Sequence, residues 1–169
     1  VAGIVGEARL VNGRSGRVLI FRLDDGSESI EAVANDDNLG PQRELLKEDE
    51  LVIVQGKLQP DRFAGGLRLN VQQVWDLATA RARFGRYLAV DVNGTLPPVA
   101  DLVRQWPARR IDSEQGELTQ GLPVRLRLQR PQAAAEIELG DEGRIWPSDE
   151  ALARWRAAAH ERQAVVVYE

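Results

Sequence analysis

Residues 18–34 read VLIFRLDDGSESIEAVA, and this stretch decides the fold. The run 18–23 is rich in β-branched and aromatic side chains and predicts a strand. Asp24-Asp25-Gly26-Ser27 follows, a hairpin signal because glycine accepts the positive φ of a tight turn. Residues 29–34 predict the returning strand. Upstream, Ala2, Ile4, Ala8 and Leu10 share one face of an alternating run, with Gly6 between them and Glu7 and Arg9 on the other face. The turn residues of 12–16 separate that first strand from the hairpin.

Downstream, residues 41–47 (PQRELLK) predict a short helix, with Pro41 tolerated in its first turn. Residues 51–58 and 67–75 predict two more strands around a longer loop, 59–66. Strand, strand, strand, helix, strand, strand is the order of the OB-fold, a small all-β barrel with a helix between its third and fourth strands.

Asp76 caps a predicted connecting helix over 78–87. Its Arg81, Arg83 and Arg86 make it a strongly basic stretch. The domain boundary is placed there, giving 1–77, a linker helix 78–87, and a second domain 88–169. In the second domain Val99, Leu102, Val103 and Trp106 have the spacing of one helical face, which Pro107 ends. Residues 88–92, 123–129, 133–139 and 163–168 predict strands, and 109–121 a polar loop. Ser148 caps a last helix, with Asp149 and Glu150 at its positive end and His160 read as lying late in it. The pattern βαββαβ predicts an α+β, ferredoxin-like sandwich.

The 169 residues contain no cysteine or methionine and one histidine. Disulfides, zinc–thiolate sites and cysteine nucleophiles are excluded. Val1 is not a start methionine, so the expectation is a piece of a longer or a processed protein. The net charge is −4. Residues 1–77 hold 9 Lys+Arg and 13 Asp+Glu, and residues 78–169 hold 13 of each. Nucleic-acid contact therefore has to come from local clusters. No apolar run approaches the roughly 18 residues of a membrane span. The expectation is a cytoplasmic protein with no membrane partner and no cofactor.

Within the barrel, the loops joining strands one to two and four to five carry the cations. Arg14 and Arg17 lie in or beside the first. Arg62 and Phe63 lie in the second, with Lys57 and Arg68 on its flanking strands. Guanidinium groups hold phosphates, and aromatic faces stack bases. Phe21 on strand two is expected as a second stacking platform. The acidic residues Glu28, Glu31, Asp36 and Asp37 oppose tight binding. The pairs Asp24-Asp25 and Asp36-Asp37 are read as turn formers rather than metal ligands. His160 has no second histidine with which to share a metal. Trp106, Trp146 and Trp155 are most simply core residues. Trp155, with Gln163, Val166, Val167 and Tyr168 of the terminal strand, is also carried as the partner-docking set.

Several motifs converge in order: Val1-Ala-Gly-Ile-Val5, Leu23-Asp-Asp-Gly-Ser27 with Ile30-Glu31, Glu44-Leu-Leu46, residues 51–57 (LVIVQGK), Phe63-Ala-Gly-Gly-Leu67, and Val74-Trp-Asp-Leu77 with Ala80-Arg81. Leu122-Pro-Val-Arg-Leu126, Arg144-Ile-Trp-Pro-Ser148 and residues 163–169 continue the series more loosely. Together they resemble the C-terminal region of the alpha subunit of bacterial C-family replicative polymerases (DNA polymerase III). The resemblance implies an OB domain that handles single-stranded template DNA. It also implies a C-terminal domain that binds the tau subunit of the clamp loader, with the tail near tau or the sliding clamp. The polymerase carboxylates would lie upstream, so this fragment is expected to have no catalysis of its own. Three features depart from the family. Residues 32–35 (AVAN) lack the aromatic that usually follows the Ile-Glu strand. The loop 13–16 is altered, and the loop 109–121 is longer. The alternatives are a protein-interaction fragment whose barrel has lost DNA binding, and an RNA-binding OB module.

Overall fold

The computed structural model describes the chain apart from residues 14–15, 62–64 and 114–115, and of residues 13, 36, 37 and 113 it describes the backbone alone. The chain divides into two compact units, Val1–Leu77 and Ala78–Glu169.

In the first unit, strands β1 (Ala2–Gly13), β2 (Gly16–Asp24), β3 (Ser29–Asn35), β4 (Leu51–Pro60) and β5 (Leu67–Trp75) close a barrel in the order β1-β2-β3-β5-β4. Pairing of Ala2 with Ile53 joins β1 to β4, and β3 runs parallel to β5 at Ala32–Leu69. This is the OB arrangement. The alternation along β2 sends Leu19, Phe21 and Leu23 inward, where they meet Val5, Ala32, Ala34, Val52, Val54, Leu69 and Val74. Period-two geometry makes the choice all or none, because one register slip would exchange the two faces.

Two irregularities bend the barrel walls. β1 carries a bulge between Gly6 and Arg9, where Glu7 adopts φ +52°. β4 shifts register at Gly56, where any Cβ would collide with the Asn70 carbonyl. Between β3 and β4 lie a single helical turn, α1 (Asp36–Leu39), and a 3-10 turn, Gly40–Leu45. The expected helix over 41–47 is therefore earlier, shorter and tighter. Gly40 at φ +50° breaks the α-helical path, and Pro41 enters the 3-10 turn. The segment is still held to the barrel. Leu39 and Leu46 enter the core, and Val74 N donates to Gln42 Oε1 at 2.8 Å.

Helix α2 (Leu77–Phe84) begins at the last residue of the first unit and runs into the second; it ends before the expected 87 because Gly85 follows it and β6 (Tyr87–Val92) starts at once. Then come α3 (Val99–Gln105), β7 (Arg109–Ser113), β8 (Gly116–Gln120), β9 (Val124–Arg130), β10 (Ala133–Glu138), α4 (Asp149–Ala158) and β11 (Ala164–Val167). The region expected as a polar loop, 109–121, is a two-stranded ribbon of β7 and β8. Helix α4 starts where Ser148 Oγ accepts from Ala151 N at 3.2 Å. It stops at Ala158, so His160 lies in a separate 3-10 turn beside Glu161 at φ +49°.

The sheet order is β10-β9-β6-β11, with β6 and β9 parallel neighbours. This corrects the ferredoxin-like expectation, in which the third strand of the βαββαβ series would lie beside the first. The residues explain the difference. β9 buries Val124 and Leu126 and can sit inside a sheet. β10 (AAAEIE) is exposed along its whole length and suits only an edge. Leu102 of α3 and Leu152 and Trp155 of α4 pack on one sheet face with Leu88, Val90, Val92 and Ile145. On the opposite face Arg125 lies 4.0 Å from the Tyr87 ring centroid and bonds Glu138, while Arg127 Nε donates to Asp91 at 2.7 Å.

Candidate nucleic-acid interface

The outward residues of β2 alternate with the core row: Val18 and Ile20 are half-buried, Arg22 is exposed. Across the ladders Ile20 faces Arg9 on β1 and Val33 on β3, and Arg22 faces Glu31. Val33 continues to Asn70 on β5, and Asn70 to Lys57 on β4. Facing residues point to the same side of a sheet, so Arg9, Ile20, Val33, Asn70 and Lys57 form one outward belt. Nearer the two loops, Val11 pairs with Val18 and Gln59 with Arg68.

The centre of this surface is a shallow, open pocket of about 230 Å³ lined by Glu7, Arg9, Ile20, Phe21, Arg22 and Glu31. The bulge in β1 brings Glu7 to Arg22, at 3.2 Å, and Arg9 reaches Glu31 at 3.8 Å. All four side chains are well exposed, so each pair contributes only about 0–1 kcal/mol. Phosphate oxygens offer the guanidinium groups the same bidentate geometry as carboxylates. The surface thus has an apolar strip on which a base can lie and two cations whose present partners are weakly held.

The sequence-derived residues fall into three groups. Arg14, Arg62 and Phe63 lie outside the described residues. Arg17 at the start of β2 and Lys57 on β4 are exposed, and Arg68 on β5 is half-buried. The Arg68 Nε is buried with no hydrogen-bond partner among the described residues. Phe21 is a correction. At 1% exposure it belongs to the barrel core, and its ring cannot stack a base. Residues 18–21 are apolar at every position, so the run alone does not say which parity faces inward. Arg22 and Asp24 decide it, and by the same parity Ile20 and Arg22 are the outward residues that the sequence reading missed. Arg9 was read as facing outward but was not connected to them.

Among the partner-docking residues, Trp155 is also corrected: it is 0% exposed at the centre of the second core. β11 forms one edge of its sheet. On and beside it Gln163 and Tyr168 are exposed, Val167 is half-buried, and Val166 packs partly against the core. Val165, which the sequence reading did not single out, is 50% exposed.

The acidic pair at 24–25 builds a turn. Asp24 Oδ1 accepts from Gly26 N, and Asp25 Oδ1 accepts from Ser27 N, Ser27 Oγ and Glu28 N at 2.9, 2.7 and 3.0 Å. The Glu28 N–H, then the Ser27 hydroxyl and N–H, lower the Asp25 pKa from 3.8 to about 2. Among the described residues no cluster of three or more His, Cys, Asp or Glu is placed to hold a metal. No helix among them is long and apolar enough to cross a membrane.

A family model described as "OB-fold nucleic acid binding domain" matches residues 1–77, the whole first unit. Residues 1–77 are an OB-fold domain. Beyond the OB domain, the similarity spans most of the chain. Over 153 residues it is 32% identical to DNA polymerase III subunit alpha of Vibrio cholerae, covering 90% of this chain and 13% of that protein. The Escherichia coli K12 protein of the same name is 33% identical over 152 residues, 89% of this chain and 13% of the relative. That of Pseudomonas aeruginosa is 29% identical over 157 residues, 90% and 12%. These alpha subunits are homologues, and this chain spans about an eighth of their length. Among solved structures, asparaginyl-tRNA synthetase from Pyrococcus horikoshii aligns over 75% of this chain and 43% of its own, with a TM-score of 0.38 and 13% identity. That likeness is too remote to bear on function.

Proposed function

We propose that the chain is a non-catalytic C-terminal fragment of a replicative DNA polymerase alpha subunit. Its OB domain contacts single-stranded template DNA, and its second unit docks the polymerase on the tau subunit of the clamp loader. The observation that carries the first half is a closed OB barrel whose outward β1–β2–β3 surface joins Val18, Ile20 and Val33 to Arg9 and Arg22. Homology to alpha subunits over about 90% of the chain supports the setting. Docking is supported by the edge strand β11, with Val165 and Tyr168 exposed, which offers main-chain groups and apolar side chains to an added strand.

Fluorescence anisotropy with labelled oligo-dT at rising salt tests the DNA contact. Removing two phosphate contacts with Arg9→Ala and Arg22→Ala makes the log–log salt slope shallower by about 1.4 for a single strand. An unchanged slope removes the barrel surface from consideration. Pull-down with tau, repeated with Val165→Asp, tests docking; retention of tau by the variant counts against the β11 edge.

A second reading has its own observation. Arg9 and Arg22 are each already paired with a glutamate, and the unit's net charge is −4. A barrel that binds only protein would keep tau in the pull-down and show no oligonucleotide binding at low salt. Preference for a folded RNA over oligo-dT would instead identify an RNA module.

A further inference from the structure

One basic stretch of the chain lies outside the barrel and has no part in the reading above. Residues 78–87 (ATARARFGRY) contain three arginines and no acid. Arg81 is accounted for structurally: 15% exposed, it bonds Asp149 Oδ1 at 2.6 Å and the Pro147 carbonyl at 3.2 Å. Arg83 and Arg86 are less enclosed, and between them Phe84 is 47% exposed. The Arg83 guanidinium lies 5.7 Å from the centroid of the Phe84 ring.

The display is rigid. Gly85 sits where a Cβ would collide with the Arg81 carbonyl and lie 2.7 Å from Leu122 Cδ1 and 3.3 Å from Val166 Cγ1. Gly85 N donates to Arg81 O at 2.9 Å, and Arg86 N donates to Val167 O at 2.7 Å. The backbone that follows Phe84 is therefore held against the core of the second unit. One step beyond the last ladder pair, Tyr87–Val167, stand Arg86 and Tyr168, and Tyr168 is 53% exposed. Arg86 and Tyr168 thus stand where β6 begins and β11 ends, with exposed Glu169 next in the chain and Phe84 two residues before Arg86.

We propose that Arg83, Phe84 and Arg86 form a second contact for single-stranded nucleic acid, in which Phe84 stacks a base and the two guanidinium groups hold flanking phosphates. A protein partner with an apolar side chain would account for exposed Phe84 alone. Exposed arginines on both sides of an exposed ring favour a polyanion with flat faces, which is the combination used for single strands. This site lies in the second unit and stands independently of the barrel surface.

The test uses the full chain and fluorescein-labelled oligo-dT. Phe84→Ala is expected to weaken binding by about fivefold or more, with the salt slope unchanged. Arg83→Ala with Arg86→Ala is expected to make the slope shallower by about 1.4. Phe84→Trp keeps the affinity and adds tryptophan emission that unlabelled oligo-dT quenches, a signal that a purely structural role would not produce. None of the three side chains belongs to a core, so far-UV circular dichroism of each variant should match the parent. Wild-type affinity and slope in both alanine variants overturn the proposal. So do a Phe84→Trp variant whose added emission stays unquenched at saturating oligo-dT, and an absence of binding by the parent chain. If affinity is lost only in the Arg9→Ala, Arg22→Ala variant, the barrel is the sole site and the proposal fails. The patch is then a protein surface.

Discussion

Phe21 and Arg9 show how differently two residues of the same small barrel should respond to removal. Phe21 packs inside it with Leu19, Leu23 and Val54. Phe21→Ala should therefore cost about 3–5 kcal/mol in urea unfolding, the usual range for a buried aromatic. Arg9, with its side chain 68% exposed, should lose no more than about 0.5 kcal/mol on truncation. A Phe21→Ala protein of parental stability would mean that the inward row has been assigned wrongly. The two glutamates make the complementary prediction. On the proposed contact, a phosphate reaching Arg22 or Arg9 would displace the carboxylate of Glu7 or Glu31 and leave it close to the incoming polyanion. Glu7→Gln with Glu31→Gln should raise oligo-dT affinity by about three- to tenfold at low salt while leaving stability nearly unchanged. A drop in affinity would show that these side chains contact the ligand rather than compete with it.

At the scale of elements, the β2–β3 hairpin is the best-determined feature, because one carboxylate organises its turn. Asp25 holds three donors from residues 27 and 28, and these bonds favour its ionised form. The folded pKa of about 2 lies below the ordinary 3.8, so the folded state binds fewer protons than the unfolded one between those values. The contribution to stability is fully present above about pH 4 to 5 and is lost as pH falls through about 2. Asp25→Asn should flatten that part of the stability profile, and NMR titration of the Asp25 carboxyl should give a midpoint near 2. A midpoint near 4 would mean that the turn does not hold these bonds in solution.

The same hairpin was legible in the sequence because its turn chemistry and its two strands agree. Elsewhere the local signals were weaker. Residues 109–121 look like a polar loop because both β7 and β8 are exposed, so no apolar alternation marks them as strands. The strand order of the second unit depends on which of β9 and β10 sits inside. Contrasting VRLRLQR with AAAEIE would have decided that, since only the first has large apolar residues on one face. The barrel surface was read at its rims, where arginines stand among glycines, and missed at its centre. There the outward residues are embedded in an apolar run and become visible only once the inward parity is known.

For the molecule as a whole, the two cores share no residue. One draws on residues between Val5 and Val74, the other on residues between Leu88 and Val166. Each unit has the means to fold alone, with a stability of about 4–12 kcal/mol expected for a 77-residue domain. Separating the chain at the 77/78 boundary should give two soluble, cooperatively unfolding fragments. The separation also divides the two proposed contacts. Fragment 1–77 has an excess of four acids, so the proposed contact has to rest on local cations, and its oligo-dT affinity should fall steeply with salt and depend on Arg9 and Arg22. Fragment 78–169 has balanced charge, and its binding should be weak and abolished by Arg83→Ala with Arg86→Ala. If one strand can engage both contacts, the intact chain should exceed either fragment by more than the sum of their affinities for long oligo-dT, because the second engagement is intramolecular. That advantage should vanish for oligonucleotides too short to span both surfaces. An advantage that persists at every length would show instead that the fragments have lost structure on separation.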